Sequence, residues 1–310
     1  MKLIFAGTPA TAARTLQALL DGPHEVVAVL TRPDAPVGRK RVLTPSPTAQ
    51  VAEAAGIPVF KANRVTEEIA ADLAATGAEL GVIVAYGALL KRFALDALPL
   101  GWANLHYSLL PSWRGAAPVQ NTILSGQTET GVTMFKLDEG MDTGLIYGTV
   151  RTLVQPGETS GRLLERLTEL GITLMNEQLP RIEAGLAQLT PQPDGSALPL
   201  AAKPTRELAA IDWSRPAREL ERLILAMNPE PMAHAKLGDD SFRILDAVTL
   251  GRGNETSGQP GTLHFEAKRV IVECGDSTLL QLKSVQPAGK NPMPAIDWAR
   301  GAAGKVSHLG

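Results

Sequence analysis

Apolar positions in the first two thirds of the chain fall into two alternating patterns. Short apolar runs occur at Leu3 to Ala6, Val26 to Thr31, Pro58 to Phe60, Gly81 to Tyr86 and Ala103 to His106, then at Val132 to Leu137 and Leu145 to Val150. Between them, Ala12, Leu16, Leu19 and Leu20 sit at helical spacing. Thr48 to Ala55, Thr66 to Ala75, part of Gly115 to Ser125 and most of Thr159 to Ala184 also read as helices. Runs of this length predict strands buried on both faces, and the 3.6-residue spacing predicts the helices that cover them. The alternation predicts an α/β domain with a doubly wound, Rossmann-like, mostly parallel sheet. Gly7-Thr8-Pro9 punctuates the first strand and helix, with Thr8 as the expected N-cap and Pro9 in the first helical turn. It is not the GxGxxG fingerprint of a dinucleotide site.

The texture changes near Leu189. Thr190 to Pro204 holds four prolines and reads as a linker. Beyond it, one amphipathic helix is expected within Arg206 to Met227. Short β-like runs follow at Phe242 to Ala247, Gly261 to Phe265, Arg269 to Glu273 and Leu279 to Val285, separated by Gly- and Pro-rich turns. Strands this short and closely spaced predict a small antiparallel barrel or sandwich. The expected organisation is a domain over 1–189, a linker over 190–204 and a smaller β domain over 205–310.

Composition narrows the class. With 310 residues, 44% hydrophobic and 20% charged, the chain is ordinary for a two-domain globular protein. Its longest apolar runs are too short to span a bilayer, and MKLIFAGTP lacks the long apolar stretch of a signal peptide. The single cysteine, Cys274, excludes an internal disulfide framework and a multi-cysteine metal site. A reduced, cytoplasmic setting and a monomer are expected. The five histidines show no ligand spacing, so no metal is expected. Net charge is −2, so any nucleic-acid surface must be local. Aromatic residues, at 4%, are too sparse for a platform that stacks single strands.

In open α/β sheets, ligands bind beyond the carboxyl ends of the strands. Asn104 and His106 lie two apart at such an end, so both side chains share one face. An amide N–H and an imidazole N–H aimed at one point form an oxyanion-stabilising pair. Tyr107 to Pro118 then reads as an irregular loop held by Pro111, Arg114, Gly115 and Pro118. Asp138 to Gly144 (DEGMDTG) is a glycine-punctuated loop that offers three carboxylates: Asp138, Glu139 and Asp142. Val84, Tyr86, Leu89 and Leu90 are candidates to line an apolar pocket. Arg39, Lys40 and Arg41 form a basic cluster in the loop Pro33 to Leu43, after a strand end. Cys274, Trp213 and Trp298 read as packing residues.

NLHYSLLPSWRGAAPVQ (104–120) followed by TGVTMFKLDEGMDTG (130–144) resembles the folate-dependent formyltransferase family, and these two motifs are specific to it. The resemblance extends in order over almost the whole chain. FAGTPATAARTLQALL, TRPDAPVGRKRVLTPSP and VIVAYGALL resemble N-terminal blocks; IDWSRPARELERLILAMNPEP and QPAGKNPM resemble C-terminal ones. The GRKR loop and the C-terminal blocks narrow it to the tRNA-directed branch. The resemblance implies an OB-like C-terminal barrel that binds tRNA, 10-formyltetrahydrofolate as donor, and the α-amino group of methionyl-initiator-tRNA as acceptor. It also implies Asn104, His106 and Asp142 as catalytic residues. Ser108, Leu109, Leu110 and Pro111, with Tyr86 and Leu89, would bind the folate. Arg39, Lys40 and Arg41 would contact the tRNA acceptor stem. Three features depart from the family pattern. Ser112 stands where a basic residue is usual, His234 where an aromatic is usual, and the chain ends soon after Ala302 without the expected apolar closing strand.

Overall fold

The computed structural model describes residues 1–38, 40–252, 259–266 and 268–310. In chain order the elements are β1 (Lys2–Gly7), α1 (Ala10–Leu20), β2 (Glu25–Thr31), β3 (Ala35–Val37), β4 (Val42–Thr44), α2 (Pro47–Ala54), β5 (Val59–Lys61), α3 (Glu67–Ala75) and β6 (Leu80–Val84). Next come α4 (Arg92–Leu95), β7 (Trp102–His106), α5 (Pro118–Ser125), β8 (Glu129–Lys136), β9 (Ile146–Leu153) and α6 (Ser160–Glu183). The remainder is α7 (Ala217–Ala226), β10 (His234–Leu237), β11 (Asp240–Arg252), β12 (Leu263–Phe265), β13 (Val270–Cys274), β14 (Thr278–Pro287), β15 (Met293–Pro294) and α8 (Ala295–Ala302). The chain divides into two compact units. Unit 1 comprises Met1–Pro118, Thr130–Thr152 and Leu164–Ala201; unit 2 comprises Val119–Glu129, Leu153–Leu163 and Ala202–Gly310. None of the helices described is long and apolar enough to cross a membrane.

Unit 1 is α/β. Its sheet runs β5-β2-β1-β6-β7-β8-β9. The pairs from β5 to β7 are parallel, and β7 with β8 is antiparallel, so the sheet is mixed. β6 is buried at every residue, as its unbroken apolar run requires. Strand order reverses at β1, whose neighbours are β2 on one side and β6 on the other. Such a reversal opens a crevice at the carboxyl ends. There a Cβ on Gly7 would collide with Ala12 and with the Val84 carbonyl, so the close approach of α1 to the sheet requires glycine. Thr8 does not cap α1: the N-cap is Pro9, without a side-chain bond. The Thr8 hydroxyl instead donates to the Tyr86 carbonyl at 3.0 Å, across the crevice. β6 stops at Val84, short of the expected Tyr86, because Ala85 turns into the left-handed region at φ 49°.

Unit 2 carries an antiparallel sheet, β10-β11-β14-β13-β12, with β15 paired to β14. Register shifts at Ile244/Asp246, Asp246/Ala247 and Thr249/Gly251 bend the long strand β11. α7 buries Leu220, Leu223 and Ile224, and the Trp298 ring of α8 packs 4.7 Å from Phe242 and 5.9 Å from Phe265. Cys274 is buried and free, and burial pushes its thiol up to about 12. The closing strand missing from the sequence pattern has a short substitute. Residues 307–310 bond to Gly261 and Leu263 beside β12 and to Lys236 of β10, joining both sheet edges, and Leu309 is fully buried. Four residues are too few to register as an apolar run.

Candidate active site

β7 ends on His106 at the carboxyl edge of the parallel strands. Its register sets Asn104 opposite Phe135 and His106 opposite Thr133 on β8. Asn104 and His106 share one face of β7, as the two-residue period requires. The Asn104 side chain is half-buried, and among the described residues nothing hydrogen-bonds to its amide. The His106 ring is buried, edge-on to Phe135 at 6.4 Å. Nε2 lies 2.8 Å from the Trp113 carbonyl. A carbonyl only accepts, so Nε2 carries the proton in the neutral ring. Nδ1 then faces the Asp142 carboxylate at 3.7 Å.

Burial lowers the His106 pKa below its usual value. The Asp142 charge opposes that shift, and the Trp113 carbonyl opposes it less. A buried ring with a carboxylate facing its unprotonated nitrogen is built to accept a proton there and release it again.

The structure separates the three acids of the DEGMDTG loop. Asp138 accepts from Thr143 Oγ1 and the Gly140 N–H, closing its own turn. Glu139 is exposed. Asp142 alone reaches the histidine. It sits at φ 54° with its side chain only 15% exposed, and Oδ2 accepts from the Gly115 N–H at 2.7 Å.

The expected folate residues divide. Ser108 to Pro111 begins two residues after His106, and Thr133 holds this turn. The Thr133 hydroxyl donates to the Ser108 carbonyl at 2.7 Å and accepts from the Leu110 N–H at 3.2 Å. Leu89 is 76% exposed at the same edge of the sheet. Tyr86 differs from its reading as a pocket-lining side chain. Its ring is buried in the core with Ile4, Leu30 and Ile83, and its hydroxyl donates to the Ala62 carbonyl. Only its backbone is left for a ligand. β3 and β4 pair as a hairpin whose described residues are exposed apart from Thr44, with Lys40 and Arg41 in its turn. Arg39 lies outside the described residues. Among the described residues no cluster of His, Cys, Asp or Glu could hold a metal ion.

Two contributors escaped the sequence reading. Thr133 could have been found from its register opposite His106. Gln192 could not. It lies in the proline-rich stretch read as a linker, which is hydrogen-bonded into unit 1 at Thr190, Gln192 and Ala201.

Residues 1–179 match the family model for formyl transferases, and residues 203–303 match that for the formyl transferase C-terminal domain. The chain is 47% identical over 301 residues to a methionyl-tRNA formyltransferase of Arthrobacter sp. (strain FB24), covering 97% of each chain. It is 46% identical over 303 residues to that of Paenarthrobacter aurescens (strain TC1), covering 98% of this chain and 97% of the relative. Among solved structures, the fold resembles an N-formyltransferase from Helicobacter canadensis in complex with folinic acid and dTDP-3-aminofucose, with TM-score 0.65, 19% identity and coverage of 93% and 99%. It also resembles HypX from Aquifex aeolicus in complex with tetrahydrofolic acid, with TM-score 0.65, 16% identity and coverage of 98% and 48%. Matched at both ends by formyl transferase models and almost end to end by such relatives, the chain belongs to the methionyl-tRNA formyltransferase family.

Proposed function

We infer that the chain transfers a formyl group from 10-formyltetrahydrofolate to the α-amino group of methionyl-initiator-tRNA, giving N-formylmethionyl-tRNA for translation initiation. The observation that carries this reading is the approach of Asp142 to His106 at the end of β7, with Asn104 on the same face of that strand, within a chain so close to methionyl-tRNA formyltransferases.

The acceptor amine has an unperturbed pKa near ~7.7–8.0, so part of it is neutral at pH 7 and needs little activation. Its nitrogen attacks the formyl carbon, the bond from that carbon to folate N10 breaks, and one proton passes from the amine to N10. The Asn104 amide stabilises the negative charge that develops on the formyl oxygen; one such donor contributes about 2.7–4 kcal/mol. His106 Nε2–H adds a second donor once it exchanges the Trp113 carbonyl for the substrate. Asp142 orients the ring and stabilises its charged form while the proton moves.

Ser108 to Pro111, Leu89 and the Tyr86 backbone make the folate subsite. Its components border the β1–β6 reversal and the end of β7, at the carboxyl edge of the parallel strands. The hairpin β3–β4 takes the acceptor stem. Arg39, Lys40 and Arg41 supply charge for phosphates, and Val37, Val42 and Leu43, each more than half exposed, supply apolar surface for a base pair. Unit 1 is thus the catalytic domain. Unit 2, whose antiparallel sheet we read as an OB-like barrel, binds the tRNA body. The reaction is cytoplasmic.

A formylation assay tests the reading. Methionyl-initiator-tRNA should be formylated only when 10-formyltetrahydrofolate is supplied, and methionyl-elongator-tRNA should react poorly. Formylation of a dTDP-amino sugar with inert tRNA would assign the chain to a sugar branch instead.

A further inference from the structure

Gln192 is 50 residues from Asp142 and 78 from Arg114 in sequence, yet it bonds to both. Its side-chain Nε2 donates to the carbonyls of Asp142 and Gly144, each at 2.8 Å. Its Oε1 accepts from Arg114 Nε at 3.1 Å and Nη2 at 2.6 Å. Guanidinium only donates and carbonyls only accept, so the partners dictate the amide's orientation.

We propose that Gln192 is a positioning residue for formyl transfer: its carboxamide clamps the loop that bears Asp142 and ties it to Arg114, so that the Asp142 carboxylate faces His106. The proposal rests on the formyl-transfer reading above.

Three features make this loop dependent on a clamp. Asp142 holds a left-handed backbone, a state that persists only where its surroundings impose it. Gly144 is pressed so closely onto the end of β8 that a Cβ would run into the Lys136 carbonyl. The Asp142 carboxylate also spans two loops, since it accepts from Gly115 while facing His106. Gln192 bonds to the same two loops, one at Arg114 and the other at Asp142 and Gly144.

The segment around Gln192 is fastened at both ends. Thr190 exchanges backbone hydrogen bonds with Ile146 at 2.8 and 2.9 Å. Ala201 donates to the Arg114 carbonyl at 2.8 Å and accepts from Ala116 at 2.9 Å. Residues 190–201 therefore form a strap over both loops, with Gln192 in its span.

Only a primary carboxamide satisfies both sides. A glutamate would keep Arg114 but lose both donor bonds and set a charge against two carbonyl oxygens. A methionine keeps the shape and loses every bond.

The test uses the full chain with Gln192→Met, Gln192→Glu, Asp142→Asn and the double variant Gln192→Met/Asp142→Asn. His106 is titrated by NMR in the free enzyme, assigned with His106→Gln, and kcat and KM are measured for folate and tRNA. Both Gln192 variants should lower kcat by about tenfold, as expected when a reacting group shifts by less than 1 Å, with KM within about twofold. His106 should titrate at lower pH than in the wild type, because the carboxylate that favours its charged form has moved away. In the Asp142→Asn background Gln192→Met should move the titration no further.

An unchanged kcat in both variants, an unmoved titration, or a shift that survives Asp142→Asn would each overturn the proposal. Gln192→Glu decides alone if Gln192→Met does not fold. The titration needs no turnover. A wild type inactive on tRNA would sink the functional reading and leave the clamp to be judged by His106.

Discussion

The His106 site and the β3–β4 hairpin leave the same edge of the unit 1 sheet and are built in opposite ways. His106 is buried, and both of its ring nitrogens face fixed partners. Its surroundings are held by Thr133, Gly115 and Gln192 through bonds that cross 23 to 78 residues of sequence. The described residues of the hairpin are exposed apart from Thr44, and the Arg41 N–H bonds locally to the Gly38 carbonyl across its turn. Chemistry that stabilises a developing charge needs donors that do not reorganise and a surrounding of low polarity. A surface that grips a large polyanion needs reach and charge, and it can order on contact. Substitutions at the first should change turnover, and those at the second should change use of tRNA.

The largest effect is expected at Asn104. Asn104→Ala should lower kcat by about 10²–10³ and leave folate affinity near the wild-type value. Turnover within a few-fold of normal in a steady-state assay would remove Asn104 from the oxyanion role. Asp142→Asn keeps the side chain's size and removes its charge, so kcat should fall by about 10². Asp138→Asn, which touches only its own turn, should stay close to wild type. The reverse ranking would mean that the 3.7 Å approach to His106 has no bearing on the reaction.

The hairpin effect is smaller and of another kind. Neutralising Arg39, Lys40 and Arg41 together should raise the tRNA KM by about tenfold or more and flatten its salt dependence. Each lost phosphate contact takes about 0.7–0.9 from the log–log slope. Folate binding and the melting temperature should not move. Protease nicking near Gly38 should slow in wild type when tRNA is added and should not slow in the triple variant. Unaltered salt dependence would make the hairpin ordinary solvated surface.

The smallest effect is on stability against pH. Burial holds the folded His106 pKa below 6.5, its value in the unfolded chain. Folding therefore favours the neutral ring. This contribution is full above pH 6.5 and is lost as the pH falls through the folded pKa, where the unfolded state binds the extra proton. Denaturant melts at pH 7 and pH 5 should show a smaller drop for His106→Gln than for wild type. An equal drop would mean that the ring charges in place without cost.

Much of this was legible in the chain itself. The apolar runs with helical spacing between them specify covered parallel strands, because a strand buried on both faces cannot afford polar positions. Asn104 and His106 needed only the two-residue period to share a face. The motifs around them carried the family. What fell outside the pattern was short or non-local. β3, β4 and the closing residues 307–310 are too brief for periodicity to register, and Thr8 resembled a helix cap because its real partner lies 78 residues away.

Sequence alone therefore determined the α/β order, the change to an antiparallel sheet and the strand end that carries Asn104 and His106 on one face, since each follows from local spacing and residue type. Tertiary structure alone decided which of three acids meets the histidine, that the Tyr86 ring belongs to the core, and that a proline-rich stretch read as a linker is bonded to the loops of Arg114 and Asp142. Each of those outcomes is a contact between residues far apart in the chain, and periodicity carries no information about such contacts.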